Sequence, residues 1–116
     1  MVYTSKVDEI RDYIVIDILS GNIKNGDRLK DKKFFTSKFK INPNYFFELV
    51  KALENEEIIE EKSDGFYYIF DNKKLGLLKN QYLNRYINDF TDNLDKIGLS
   101  LGDVMEILKL RSLANG

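Results

Sequence analysis

The sequence predicts a mainly α-helical fold with one small β-hairpin: a winged helix-turn-helix over residues 1–72, then a C-terminal helical hairpin over residues 73–116. Three observations predict it. The run Leu19-Ser20-Gly21-Asn22-Ile23-Lys24-Asn25-Gly26-Asp27-Arg28-Leu29 reads as a helix end, a tight Asn-Gly turn and a short extended segment. Asn42-Pro43-Asn44 reads as the start of a new helix, with Asn42 as N-cap and Pro43 at the first helical position, where its missing N–H costs nothing. Two β-prone runs, Ile58-Ile59 and Phe66-Tyr67-Tyr68-Ile69-Phe70, flank a polar turn at Ser63-Asp64-Gly65 and make a hairpin. Helix, extended segment, helix, turn, helix, hairpin is the order of a winged helix-turn-helix, with the hairpin as its wing.

Taken in order, Val7, Ile10, Ile14 and Ile18 recur at helical spacing, with Tyr13 and Val15 widening the stripe. Thr4 or Ser5 can cap this first helix, and Ser20-Gly21 ends it. Asp31 caps a short second helix that carries Phe34, Phe35 and Phe39. The third helix runs from Pro43 to about Asn55, with Phe46, Leu49, Val50 and Leu53 on one face; the same spacing turns Tyr45 outward. Asp71-Asn72 closes the domain. Beyond it, Leu83, Ile87, Phe90, Leu94 and Ile97 trace a long amphipathic helix that stops at Gly98, with Leu75, Leu78, Tyr82 and Tyr86 beside the stripe. Ser100 and Asp103 form a capping-box-like start for a last helix carrying Leu101, Val104, Ile107 and Leu108. Two helices cannot bury so wide an apolar stripe by themselves. They pack on the winged domain, on a second copy, or on both.

Composition narrows the function classes. The 116 residues are of single-domain size, and seven tyrosines with eight phenylalanines supply a real core. Cysteine and histidine are both absent, which removes thiolate ligands, disulfides and the commonest general base. No P-loop, dinucleotide fingerprint or nucleophile motif is present, so neither an enzyme nor a cofactor or metal is expected. No apolar run reaches the roughly 20 residues of a membrane span, and the N-terminus lacks a signal-peptide core, so a cytoplasmic protein without membrane contact is expected. The pairs Glu56-Glu57 and Glu60-Glu61 read as a solvated acidic edge. Net charge is −1, yet its distribution is uneven. Lys24, Arg28, Lys30, Lys32, Lys33, Lys38 and Lys40 face only Asp27 and Asp31 within residues 24–40, and an acidic block follows over residues 48–64. A local basic patch steers a polyanion where the total charge cannot; the alternative is two solvated faces of adjacent elements.

Three segments resemble the GntR family of bacterial transcription regulators, in particular its short YtrA-like branch. Ile18 to Leu29 is similar to that family's "I-x-S-G-x-(I/L)-x-x-G-x-(R/K)-L" opening. Asn42-Pro43-Asn44, with Leu53-Glu54 and Ile58-Ile59, resembles its "N-P-N-T-V…L-E-x-x-G-L-I" recognition helix and first wing strand. Leu94 to Ser100 resembles the "A-x-x-L-G-L-S" corner of the branch's C-terminal helical hairpin. The resemblance implies a homodimer, joined through its C-terminal helices, that binds an operator inverted repeat in double-stranded DNA and usually represses transcription. It does not say whether a small-molecule effector exists. Among the departures from the pattern, Lys30 stands for proline, Lys33 for arginine and Glu48 for the basic residue of the recognition helix, while the wing has lost one glycine and carries Asp64 at its tip.

The residues that would carry DNA binding follow from the fold. The third helix would enter the major groove by its N-terminal end, bringing Asn42, Asn44 and Tyr45 nearest the base edges. Asparagine pairs with adenine, and tyrosine offers its hydroxyl or packs on a thymine methyl. For Asn42 the capping role is a sufficient explanation on its own. Lys30, Lys32, Lys33 and Lys38 on or beside the second helix would meet phosphates, as would Lys62 and the Gly65 backbone from the wing, with Asp64 opposing. Leu78, Tyr82, Leu83, Tyr86, Ile87, Phe90 and Leu94 are the candidate dimerisation residues. An alternative from another class is a winged-helix protein with weakened DNA binding that acts through protein–protein contacts, which Glu48, Asp64 and the acidic block would favour.

Overall fold

Five helices and a two-stranded antiparallel sheet make up residues 5–115, the part described by the computed structural model. The chain divides at Leu78/Lys79 into two compact units. The first holds helices α1 (Lys6–Leu19), α2 (Lys32–Phe39) and α3 (Pro43–Asn55), then strands β1 (Ile59–Lys62) and β2 (Gly65–Tyr68). Helix α4 (Asn72–Lys96) begins in the first unit and ends in the second, and α5 (Leu101–Asn115) completes the chain.

Each of the first three helices starts on a side-chain cap. Ser5 accepts from the Asp8 N–H at 3.1 Å, while Thr4 lies outside the described residues. Asp31 accepts from the Phe34 N–H at 2.9 Å, and Asn42 from the Asn44 N–H at 3.0 Å. Such caps satisfy amide donors that the helix cannot, each contributing about 1 kcal/mol. The apolar faces then meet in one core: Ile10, Ile14 and Val15 of α1, Phe35 of α2, Leu49 and Leu53 of α3, and Ile58 before the wing are all fully buried. Each aliphatic side chain so buried contributes about 1.5–3 kcal/mol relative to exposure. Ring contacts fix the short α2 between its neighbours. Phe35 lies 5.9 Å from Phe46 of α3, and Phe39 meets Tyr13 of α1 edge-on at 5.3 Å.

The extended segment between α1 and α2 is stitched to the wing. Arg28 bridges to Tyr67 in antiparallel sense, Leu29 N–H donates to the Phe66 carbonyl at 2.9 Å, and Tyr68 N–H donates to the Asp27 carbonyl at 2.8 Å. The Asn25 carboxamide oxygen accepts from Phe70 N–H at 2.8 Å. The wing pairs Ile59 with Tyr68 and Lys62 with Gly65, closing through Ser63-Asp64.

One acidic residue departs from the solvated edge that the sequence suggested. Glu56 is half-buried and holds the Arg11 guanidinium in a fork, at 2.7 Å to Nε and 2.5 Å to Nη2. It sits at the C-cap of α3, where the helix must turn, and so comes to lie against α1. Glu57, Glu60 and Glu61 are exposed as expected.

In the second unit, Gly98 adopts φ +72°, a left-handed conformation that ends α4 as a glycine can. Ser100 and Asp103 form a reciprocal capping box: the Asp103 N–H donates to Ser100 Oγ at 3.1 Å, and the Ser100 N–H donates to Asp103 Oδ2 at 2.8 Å. Of the seven residues expected to face a partner, Leu78, Tyr82 and Leu94 are buried within the single chain. Leu83, Tyr86, Ile87 and Phe90 stay exposed, as do Ile97, Met105, Leu108, Leu110 and Leu113.

Candidate nucleic-acid interface

The candidate interface is built from the N-terminal ends of α2 and α3 and from the wing. Asp31 starts α2 immediately before Lys32 and Lys33, so that Lys30, Lys32 and Lys33 cluster in exposed positions at one helix end. Lys38 is exposed at the other end of the helix, with its Nζ 5.1 Å from the Tyr13 ring centroid. On α3 the buried stripe of Phe46, Leu49, Val50 and Leu53 sets the opposite face. That face carries Asn44, Phe47, Glu48 and Lys51, spaced i, i+3, i+4, i+7 and all exposed. Tyr45 lies on the flank of this face, 37% exposed. Asn42 uses its carboxamide oxygen as the cap, which leaves its amide group as a donor.

Phe47 was not among the residues singled out from sequence. It is 60% exposed, its ring is 5.9 Å from Phe46, and Lys32 Nζ stands 5.7 Å from its centroid. Helical spacing held the signal, since Phe47 lies three residues from Asn44 and off the buried stripe. Arg28, read from the sequence only as part of the basic block, is fixed to the wing. Its guanidinium donates to the Asp64 carbonyl and lies 6.0 Å from the Tyr67 ring centroid. Gly65, at φ +146°, leaves room for it: a Cβ there would stand 2.9 Å from Arg28 Nη2.

Asp64 Oδ2 accepts from the Tyr67 hydroxyl at 2.9 Å, and that hydrogen bond, ahead of burial, raises the tyrosine pKa. Lys62 Nζ lies 5.0 Å from the Tyr67 ring centroid and 3.8 Å from Glu60. Behind these groups a cavity of about 440 Å³ opens between Tyr13, Phe34, Phe35 and Tyr68. Burial, then the nearby Asp17, pushes the Tyr68 hydroxyl well above its ordinary range. Among the described residues no group of His, Cys, Asp and Glu could hold a metal ion, and no helix is long and apolar enough to cross a membrane.

No protein-family model and no curated protein matches the sequence. Solved structures do match. A GntR family transcriptional regulator from Listeria monocytogenes superposes with TM-score 0.75 at 24% identity, covering 93% of this chain and 97% of that one. The chain shares the fold of GntR-type regulators. YtrA from Sulfolobus acidocaldarius, a GntR-family transcription factor, has the same GntR-type fold at TM-score 0.53 and 19% identity, covering 99% of this chain and 95% of that one. BusR of S. agalactiae, in complex with its busAB-promotor DNA, matches at TM-score 0.56 and 21% identity over 97% of this chain and 55% of its own.

Proposed function

We propose that this chain is a DNA-binding transcriptional regulator of the GntR family, YtrA-like branch. It binds an operator inverted repeat in double-stranded DNA as a homodimer, represses transcription, and works in the cytoplasm. The observation that carries this reading is the cluster of exposed lysines, Lys30, Lys32 and Lys33, beside the exposed Asn44 end of α3. In a helix-turn-helix the first of these helices crosses the sugar–phosphate backbone while the second enters the major groove, so cations and base-reading amides fall where each is used. The fold shared with a regulator that is solved on promoter DNA supports it. Residues 1–72 serve as the DNA-binding domain and residues 73–116 as the dimerisation region, through Leu78, Tyr82, Leu83, Tyr86, Ile87, Phe90 and Leu94, of which Leu83, Tyr86, Ile87 and Phe90 are the exposed ones. A dimer doubles the phosphate contacts, which offsets the modest charge of each copy. Repression follows from steric occupation of a promoter by that dimer.

The protein-contact alternative draws on Glu48, exposed in the middle of the outward face of α3. Asp64, exposed at the wing tip with a carboxylate oxygen on the Tyr67 hydroxyl, supports it as well. The test is fluorescence anisotropy with DNA from the gene's own upstream region, at two salt concentrations, beside a scrambled duplex. DNA binding predicts preference for the upstream region, weakening as salt rises, and Lys33→Ala should lower the salt slope by about 1. Equal, feeble binding to both duplexes would favour the protein-contact reading.

A further inference from the structure

The outward face of α3 carries unusual chemistry for a helix that meets a polyanion. From Pro43 to Val50 it has no lysine or arginine; its first cation is Lys51, two turns from the N-terminal end and about 10 Å along the axis from Asn44. The side chains able to make the bidentate contact that reads guanine are therefore missing from the end of the helix nearest the bases. What stands there instead is an amide and an exposed ring. Asn44 and Phe47 are neighbours on one face, three residues apart, and side chains at that spacing lie about 5–6 Å from each other. An asparagine amide matches adenine N6 and N7, and an aromatic ring packs against the thymine 5-methyl group of the same or the next base pair.

Exposure of Phe47 singles it out further. Most of the aromatic rings of this unit are at least half-buried, yet Phe47 is 60% exposed on the face opposite the core. Its ring stands beside Lys32 of α2, three residues from Asn44 and next to the exposed Glu48, so an apolar surface lies between one cation and one acid. With Lys30, Lys32 and Lys33 at the start of α2 to meet phosphates, a ring so placed suits the apolar 5-methyl group of a thymine in the major groove.

We infer that Phe47 is a specificity-determining residue that reads thymine methyl groups, with Asn44 reading adenine, so that the operator half-site has an A·T step at its centre. The inference rests on the DNA-binding reading above. The wild-type protein is first used to enrich duplexes from a random pool. The enriched duplex is then prepared with thymine and with deoxyuridine, which lacks only the methyl group, and both are titrated with the wild type and with Phe47→Ala. Because Phe47 lies outside the core, the variant folds, and circular dichroism checks it.

The expected result is an A·T step in the enriched duplex and a loss of roughly fourfold per contacted methyl for the wild type on deoxyuridine DNA. Phe47→Ala should bind both duplexes alike, at the lower affinity. Enrichment followed by equal loss in both proteins, or by no loss in either, overturns the inference while DNA binding stands. No enrichment at all overturns both, and leaves Phe47 to a protein partner.

Discussion

The two units of this chain bury their apolar side chains in different ways. In the first, three helices and the wing close around Ile10, Ile14, Phe35, Leu49, Leu53 and Ile58, none of which meets water. In the second, α4 and α5 carry many large apolar residues, yet among the described ones only Tyr82 and Leu94 are buried, while Leu83, Phe90, Met105, Leu110 and others are exposed. A closed core is a tertiary solution. Large apolar side chains exposed in this number are the material of interaction sites. The contrast teaches that the fold of the first unit can be argued from one chain, whereas the stability of the second depends on what covers it.

That contrast can be broken most directly at Leu49. Leu49→Ala should cost roughly 2–5 kcal/mol in urea unfolding, because a fully buried leucine leaves a cavity that its neighbours only partly fill. A cost below about 1 kcal/mol would mean that the core is looser than its burial implies. Phe90→Glu probes the other side. It should leave the first unit folded but weaken self-association by roughly 2–3 kcal/mol, read by sedimentation equilibrium. An unchanged dimer, or a monomer in the wild type, would remove Phe90 from any interface.

Smaller effects sharpen the picture. Arg11→Ala should destabilise the first unit by about 1–2 kcal/mol, since the Glu56 fork is well formed but partly hydrated. Thermal unfolding beside Glu56→Gln would measure it, and a neutral outcome would make the fork incidental. Tyr68 predicts sensitivity to alkali. Burial raises the folded pKa of its hydroxyl, so its contribution is intact below the unfolded value of about 10 and is lost as pH climbs beyond it. Tyr68→Phe should blunt that alkaline loss in a pH series of melts. The smallest effect belongs to Asp103. The Ser100 backbone N–H lowers its pKa, so the cap acts above about pH 4 and is lost as pH falls further. Fraying at the first turn of α5, seen in amide shifts, would report it, and shifts indifferent to acid would discount the cap.

Much of this fold was legible in the sequence because its signals are local. Asp31, Asn42-Pro43 and Ser100…Asp103 each announce a helix start through a bond that spans two or three residues. Periodicity placed Phe46, Leu49, Val50 and Leu53 inward, as they are. Signals that fail are those that need the third dimension. Nothing near Glu56 in the sequence names Arg11, forty-five positions away, as its partner. Tyr82 and Leu94 look like the rest of the α4 stripe, and only packing separates them from exposed Leu83 and Phe90. In the candidate interface, Lys30, Lys32, Lys33 and Asn44 are proposed by type and position, and all four are exposed. Phe47 was missed because an aromatic residue beside Phe46 invites assignment to the core.

The seam between residues 26–29 and 66–68 bears on the order in which this molecule is made. It joins strands separated by roughly forty residues, so its loop-closure entropy must be met before its hydrogen bonds return anything. During synthesis α1, α2 and α3 can condense while β2 is still unmade, and Arg28 has no wing to hold until then. Pulse-labelled hydrogen exchange on refolding should accordingly find the Leu29 and Tyr68 amides protected together, after those of α1 and α3. The wing is on this account the part of the helix-turn-helix core that is joined last.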